Sequence, residues 1–118
     1  MHGLTVRWSL EGSDPEIMSE LRDYVRDSSF ARFSGMEGLR FKTWRARDGE
    51  WFEGCYVFAT PGARDEFQQA FTENAATSQG SQIVGSAPVL IEPCEVVAVA
   101  EGGAGFVALP SYEESEIA

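Results

Sequence analysis

Tyr56, Thr43 and Trp44 are the side chains best suited to do chemistry, with Lys42 beside them. They flank one turn, in the runs Leu39-Arg40-Phe41-Lys42-Thr43-Trp44-Arg45 and Glu53-Gly54-Cys55-Tyr56-Val57-Phe58. A tyrosine hydroxyl shielded from water can exchange a proton with a substrate, or it can simply satisfy a backbone carbonyl. A desolvated lysine can lose its proton and act as a base or substrate clamp; its plainer role is an ion pair. Trp44 can stack on a ligand or take part in redox chemistry, and its commoner use is packing. Cys55 reads as an inert core thiol, because no histidine is available to activate it. Arg32, upstream of the first run, is a gate candidate whose default is solvated surface.

These residues need a hairpin to position them. The two β-rich runs and the Asp48-Gly49 turn signal predict one at the centre of a sheet. A two-residue turn pairs Arg47 with Glu50, Arg45 with Phe52, Thr43 with Gly54 and Phe41 with Tyr56. One face then carries Leu39, Phe41, Thr43, Gly54, Tyr56 and Phe58, lying under helices. Gly54 leaves a gap there, bordered by the Tyr56 and Thr43 hydroxyls, that suits a small molecule. The opposite face carries Arg40, Lys42, Trp44, Trp51, Glu53 and Cys55 and suits a subunit interface in which Lys42 meets Glu53. A slip of one residue would exchange a strand's faces.

Around the hairpin, Leu4, Val6, Trp8 and Leu10 alternate with polar residues as in a strand with one buried face. Ser13-Asp14-Pro15-Glu16 opens a helix running to about Ser28, with Ile17, Leu21, Tyr24 and Val25 along one stripe. Phe30, Phe33 and Met36 form a short segment that either plugs the core or lids a pocket. Thr60-Pro61 starts a second helix with Phe67, Ala70 and Phe71 on its stripe, running to about Ala75. Residues 76–87 read as a long connection. Residues 88–100 form a strand that Pro93 assigns to an edge or a bulge. Residues 102–105 are a glycine-rich joint. Phe106, Val107, Leu109 and Tyr112 make the tail apolar enough to dock, while Glu113, Glu114 and Glu116 are a solvated run.

The order is α+β, a ferredoxin-like βαββαβ arrangement of a four-stranded antiparallel sheet with two helices on one face. Residues 1–100 form the domain and 101–118 an acidic tail. Two helices cover one face only, so Trp44, Trp51, Val57 and the apolar last strand point to a homodimer that covers the other.

A net charge of -10 and a pI near 4.4 exclude nucleic acid, which needs a basic stripe, and disfavour an anionic membrane. No basic, then apolar, leader opens the chain, and no apolar run approaches the roughly 20 residues that span a bilayer. A cytoplasmic location is expected, with Cys55 and Cys94 as free, buried thiols in a reducing compartment. With His2 the only histidine, neither haem nor a His/Cys metal site is expected, and no cofactor is assigned.

Gly38 to Trp44, with Lys42 and Trp44 in the first run and Gly54, Tyr56 and Phe58 in the second, resembles the hairpin of the YdhR-like monooxygenases of the dimeric α/β-barrel superfamily. The resemblance extends over the element order of about residues 3 to 100 and leaves out the tail. It implies a dimer with a small pocket between sheet and helices. Some superfamily members oxidise aromatic or polyketide-like compounds with oxygen and no cofactor; others degrade haem, isomerise substrates or decolourise dyes. The expectation is a homodimer that binds an apolar or aromatic small molecule, with Tyr56 and Trp44 as catalytic candidates and Phe41, Lys42, Thr43, Gly54 and Phe58 contacting the substrate. A non-catalytic binding or stress-related dimer is the alternative.

Overall fold

Strand β1 (His2–Ser9) buries Leu4, Val6 and Trp8 and leaves Thr5 and Arg7 half-buried, the alternation expected of it. The computed structural model describes residues 1–108, so Leu109, Tyr112 and the run Glu113, Glu114 and Glu116 lie outside the described residues. β1 pairs antiparallel with β3 (Trp51–Phe58) on one side and β4 (Leu90–Glu95) on the other, and β3 pairs antiparallel with β2 (Leu39–Arg47). The chain is therefore α+β, with a four-stranded antiparallel sheet in the order β2-β3-β1-β4. Pro93 does lie on an edge strand, where its missing N–H is tolerated. That strand is shorter than expected, ending at Glu95.

The hairpin differs from the expected register. Arg47 pairs with Trp51, and Asp48, Gly49 and Glu50 form a three-residue loop in which Gly49 takes φ 76°. Loops of this length commonly place a left-handed residue, and glycine adopts that conformation without a Cβ penalty. Trp44 consequently lies opposite Gly54, Lys42 opposite Tyr56 and Thr43 opposite Cys55. Since directly paired residues share a face, Lys42 and Trp44 lie under the helices, and Phe41 and Thr43 lie on the opposite face. An irregularity between Leu39 and Phe41 restores Leu39 to the face of Phe58.

The first helix is longer and less regular than its sequence suggests. α1 (Ile17–Tyr24) continues through a π-helical turn (Val25–Ser29) into α2 (Phe30–Phe33). The residues turned inward, Ile17, Leu21, Val25, Ser29 and Phe33, are each four apart. In a straight α-helix at about 100° per residue, Ile17 and Phe33 would point about 160° apart. A π turn holds one additional residue and takes back about 100° of that drift. It keeps Ser29 and Phe33 over the sheet, at 1% and 5% exposure. Phe33 is thus a helical core residue rather than part of a loop.

α3 (Pro61–Glu73) begins as expected: Thr60 Oγ1 accepts from Ala63 N–H at 3.1 Å, with proline in the first turn. Residues 76–87 are not simply a connection. They include α4 (Gln79–Val84), capped by Ser78, so that more than two helices lie on the sheet. The helix is fixed by Trp8, whose Nε1 donates to Ser81 Oγ at 2.9 Å and whose ring leaves no room for a side chain at residue 80. A Cβ built on Gly80 would lie 3.0 Å from Trp8 Cζ2.

On the sheet face away from this core, Glu53 is 1% exposed and receives Arg7 Nε at 2.8 Å and Arg45 Nε at 2.9 Å. The expected partner, Lys42, is on the other face. Both guanidiniums also stack on Trp51, 4.4 and 5.4 Å from its ring centroid. Cys55 is half-buried there, and Cys94 is exposed rather than buried because it lies on the edge strand; both are free.

Candidate functional site

Lys42 leaves β2 beside Tyr56 of β3, and its stem crosses Gly54. A Cβ built on Gly54 would meet Lys42 Cε at 3.0 Å and Tyr56 Oη at 3.3 Å. The expected gap at Gly54 is therefore where the lysine runs. Its Nζ lies 3.5 Å from the centroid of Phe33, 4.4 Å from Tyr56 and 4.5 Å from Trp44. Each ring is held by its own element. Phe33 is brought in by the π turn, Trp44 Nε1 donates to Ser29 Oγ at 3.0 Å, and Tyr56 packs on Phe67 at 4.9 Å.

Among the described residues no carboxylate pairs with Lys42 and no hydrogen bond reaches its Nζ. Burial first, and then the positive charge of Arg32, push its pKa down from 10.5 to about 6. The aromatic faces attract the ammonium form and oppose this in part. Tyr56 is 4% exposed, and burial, reinforced by Tyr24, holds its hydroxyl protonated far into the alkaline range. No backbone carbonyl accepts from it among the described residues. Cys55 lies on the far face; burial and then its hydrogen bond to Glu53 Oε2, at 2.9 Å, push its thiol up, which keeps it un-ionised.

Lys42, Tyr56, Trp44 and Gly54 border one cavity together with Phe33, Ser29, Trp8 and Arg32 and the start of α4. Its volume is about 30 Å³, enough for one or two waters. It is partly open to solvent, and Arg32 and Gln79 on its lining are exposed. Of the residues expected at the site, Tyr56, Trp44, Lys42 and Gly54 are brought together. Phe58 shares their face at 1% exposure and stacks on Tyr56, outside the cavity lining. Phe41 and Thr43 are on the opposite face, so the Thr43 hydroxyl does not border this space.

Phe33, Ser29 and Trp8 are absent from the sequence-based site because they come from other elements. One signal was available for Lys42: of the 9 basic residues it is the sole lysine, and the others are arginines. A position that holds the only side-chain amine, and half-buries it among aromatic rings, favours chemistry that a guanidinium cannot perform.

Neither a scan against protein-family models nor a search of curated proteins finds a match to this chain. Among the described residues no cluster of His, Cys, Asp and Glu could hold a metal ion, and no helix is long and apolar enough to cross a membrane. The site's own groups supply a neutral amine, a protonated phenol and aromatic walls. That set can remove a proton from a weakly acidic substrate and stabilise the anion that results.

Proposed function

We propose that this chain is a ferredoxin-like domain of the dimeric α/β-barrel type, resident in the cytoplasm, that binds a small apolar or aromatic molecule bearing an acidic hydroxyl or C–H group. The observation that carries this reading is that the only lysine is half-buried against a cavity among aromatic rings, with no anionic partner among the described residues. A neutral amine there accepts the substrate proton, and the ammonium and substrate anion then compensate each other in a site where either alone would be costly. Tyr56 donates a hydrogen bond to the anion, and Trp44 walls the ring.

The resemblance to YdhR-like monooxygenases extends the reading to cofactor-independent oxidation. The electron-rich anion of a benzylic or phenolic substrate reduces dioxygen, one oxygen atom becoming a carbonyl and the other leaving as water, so a CH₂ group becomes C=O. The cavity, about 30 Å³, is of a size for dioxygen, and the substrate ring would sit at its open side. The ionic face around Glu53 and Trp51 supports a second subunit there, since among the described residues no helix covers that face. Oxygen uptake with an anthrone- or hydroquinone-type compound tests the reaction: uptake above the uncatalysed rate that disappears in Lys42→Met supports it, and uptake equal to the uncatalysed rate rejects it. Tight binding of the same compound without uptake would instead favour a ligand-binding dimer.

A further inference from the structure

We propose that Lys42 also captures short 2-oxo acids or aldehydes in this cavity as a Schiff base, with Arg32 taking the carboxylate. The inference rests on the same site but asks something different of it: attack on carbon rather than removal of a proton. The amine nitrogen bonds to the carbonyl carbon and its proton passes to the oxygen. The resulting carbinolamine loses water to give C=N, with no change of oxidation state and no other reactant.

Three observations point this way. Lys42 Nζ has no hydrogen-bond acceptor or carboxylate among the described residues, which leaves its lone pair free when neutral. Every other basic side chain is an arginine, and only a primary amine forms an imine. Lys42 Nζ lies 4.4 Å from the Tyr56 ring centroid, and the lysine stem and the Tyr56 hydroxyl both border the space over Gly54, so a hydroxyl that stays protonated shares the cavity from which water must leave.

The size and charge of the cavity narrow the class. A volume of about 30 Å³ in a pocket partly open to solvent favours the smallest carbonyl compounds. The charged groups on its lining are Lys42 and Arg32, with no acid among them, and Arg32 has no ion pair among the described residues. In a chain of net charge -10, this is a local site for an anion. Glyoxylate fits both requirements.

The test is reductive trapping of the full chain at pH 7 with glyoxylate and cyanoborohydride, read by peptide mass spectrometry. Lys42 and the α-amino group are the only amines, so the α-amino group serves as an internal reference. At pH 7 an ordinary lysine is neutral in roughly one molecule in a few thousand, whereas Lys42 is largely neutral. The folded chain should therefore label at Lys42 at least about tenfold faster than the same chain in guanidinium. Equal or slower labelling overturns the proposal. Arg32→Gln should slow labelling by glyoxylate more than by acetaldehyde, which loses only the effect of the Arg32 charge on the amine; equal effects on both overturn the carboxylate assignment. If trapping fails while Lys42-dependent oxygen uptake persists, the Schiff base is wrong and the proton-abstraction reading stands. Trapping without uptake gives the reverse.

Discussion

Replacing Lys42 with methionine should make this protein more stable at neutral pH. Methionine keeps the unbranched stem, adapts to irregular space and makes favourable contacts with aromatic rings. The lysine, by contrast, folds by giving up its proton. Its pKa falls from 10.5 to about 6, so at pH 7 the folded chain holds a neutral amine where the unfolded chain holds an ammonium. Deprotonating a group of ordinary pKa 10.5 at pH 7 spans about 3.5 units, or about 5 kcal/mol at 1.36 kcal/mol per unit. The expected gain in Lys42→Met is then several kcal/mol, up to about 5, a large part of a small domain's stability.

The pH dependence carries a definite sign. Between pH 6 and 10.5 the unfolded chain binds a proton that the folded chain does not, so wild-type stability rises with pH across that window, by up to about 1.4 kcal/mol per unit. Lys42→Met lacks this dependence. Guanidinium denaturation followed by tryptophan fluorescence at pH 6, 7.5 and 9 should show the variant ahead by most at pH 6 and by least at pH 9. A variant less stable than wild type, or a gap that does not change with pH, would refute the reasoning.

Other expectations follow from the same geometry. Gly54→Ala places a methyl 3.0 Å from Lys42 Cε and should cost about 1–3 kcal/mol in thermal denaturation while displacing the amine and raising its pKa. Gly80→Ala, pressed against the rigid Trp8 indole at 3.0 Å, should cost a similar ~1–3 kcal/mol and disturb the near-ultraviolet circular dichroism of Trp8. Burial alone would raise the Glu53 carboxyl, but hydrogen bonds from Cys55, Arg7 and Arg45 outweigh it and hold it below its usual range. Glu53 therefore contributes stability above the usual carboxylate pKa that is lost as pH falls through its folded value. Glu53→Gln should lose only about 1 kcal/mol at pH 7, because Arg7 and Arg45 are 35% and 56% exposed, and an acid titration should show a shallower loss of stability than wild type.

What could be read from the sequence was mostly what local chemistry decides. The alternation of Leu4, Val6 and Trp8, the Thr60-Pro61 cap and the edge position of Pro93 each depend on a few neighbouring residues. The faces of β2 did not yield to the same reasoning. Phe41 and Trp44 are both aromatic and point to opposite sides, so no amphipathic pattern fixes the strand, and Asp48-Gly49 is compatible with loops of two or three residues. One additional loop residue moved Lys42 from the expected interface into the cavity and moved Thr43 out of it. α4 was invisible for another reason: its sequence offers one apolar pair, Ile83-Val84, and its position depends on Trp8, 73 residues away at Ser81. The π turn left a trace in the four-residue spacing from Ile17 to Phe33, which a straight helix could not keep on one side.

The central claim is that the single lysine is an uncharged amine at physiological pH. Because the chain contains no other lysine, one ¹³Cε-lysine resonance reports on it without assignment. Its titration by nuclear magnetic resonance should show a midpoint close to 6, several units below the ordinary value. A midpoint near 10.5 would show an ordinary ammonium ion and contradict the account.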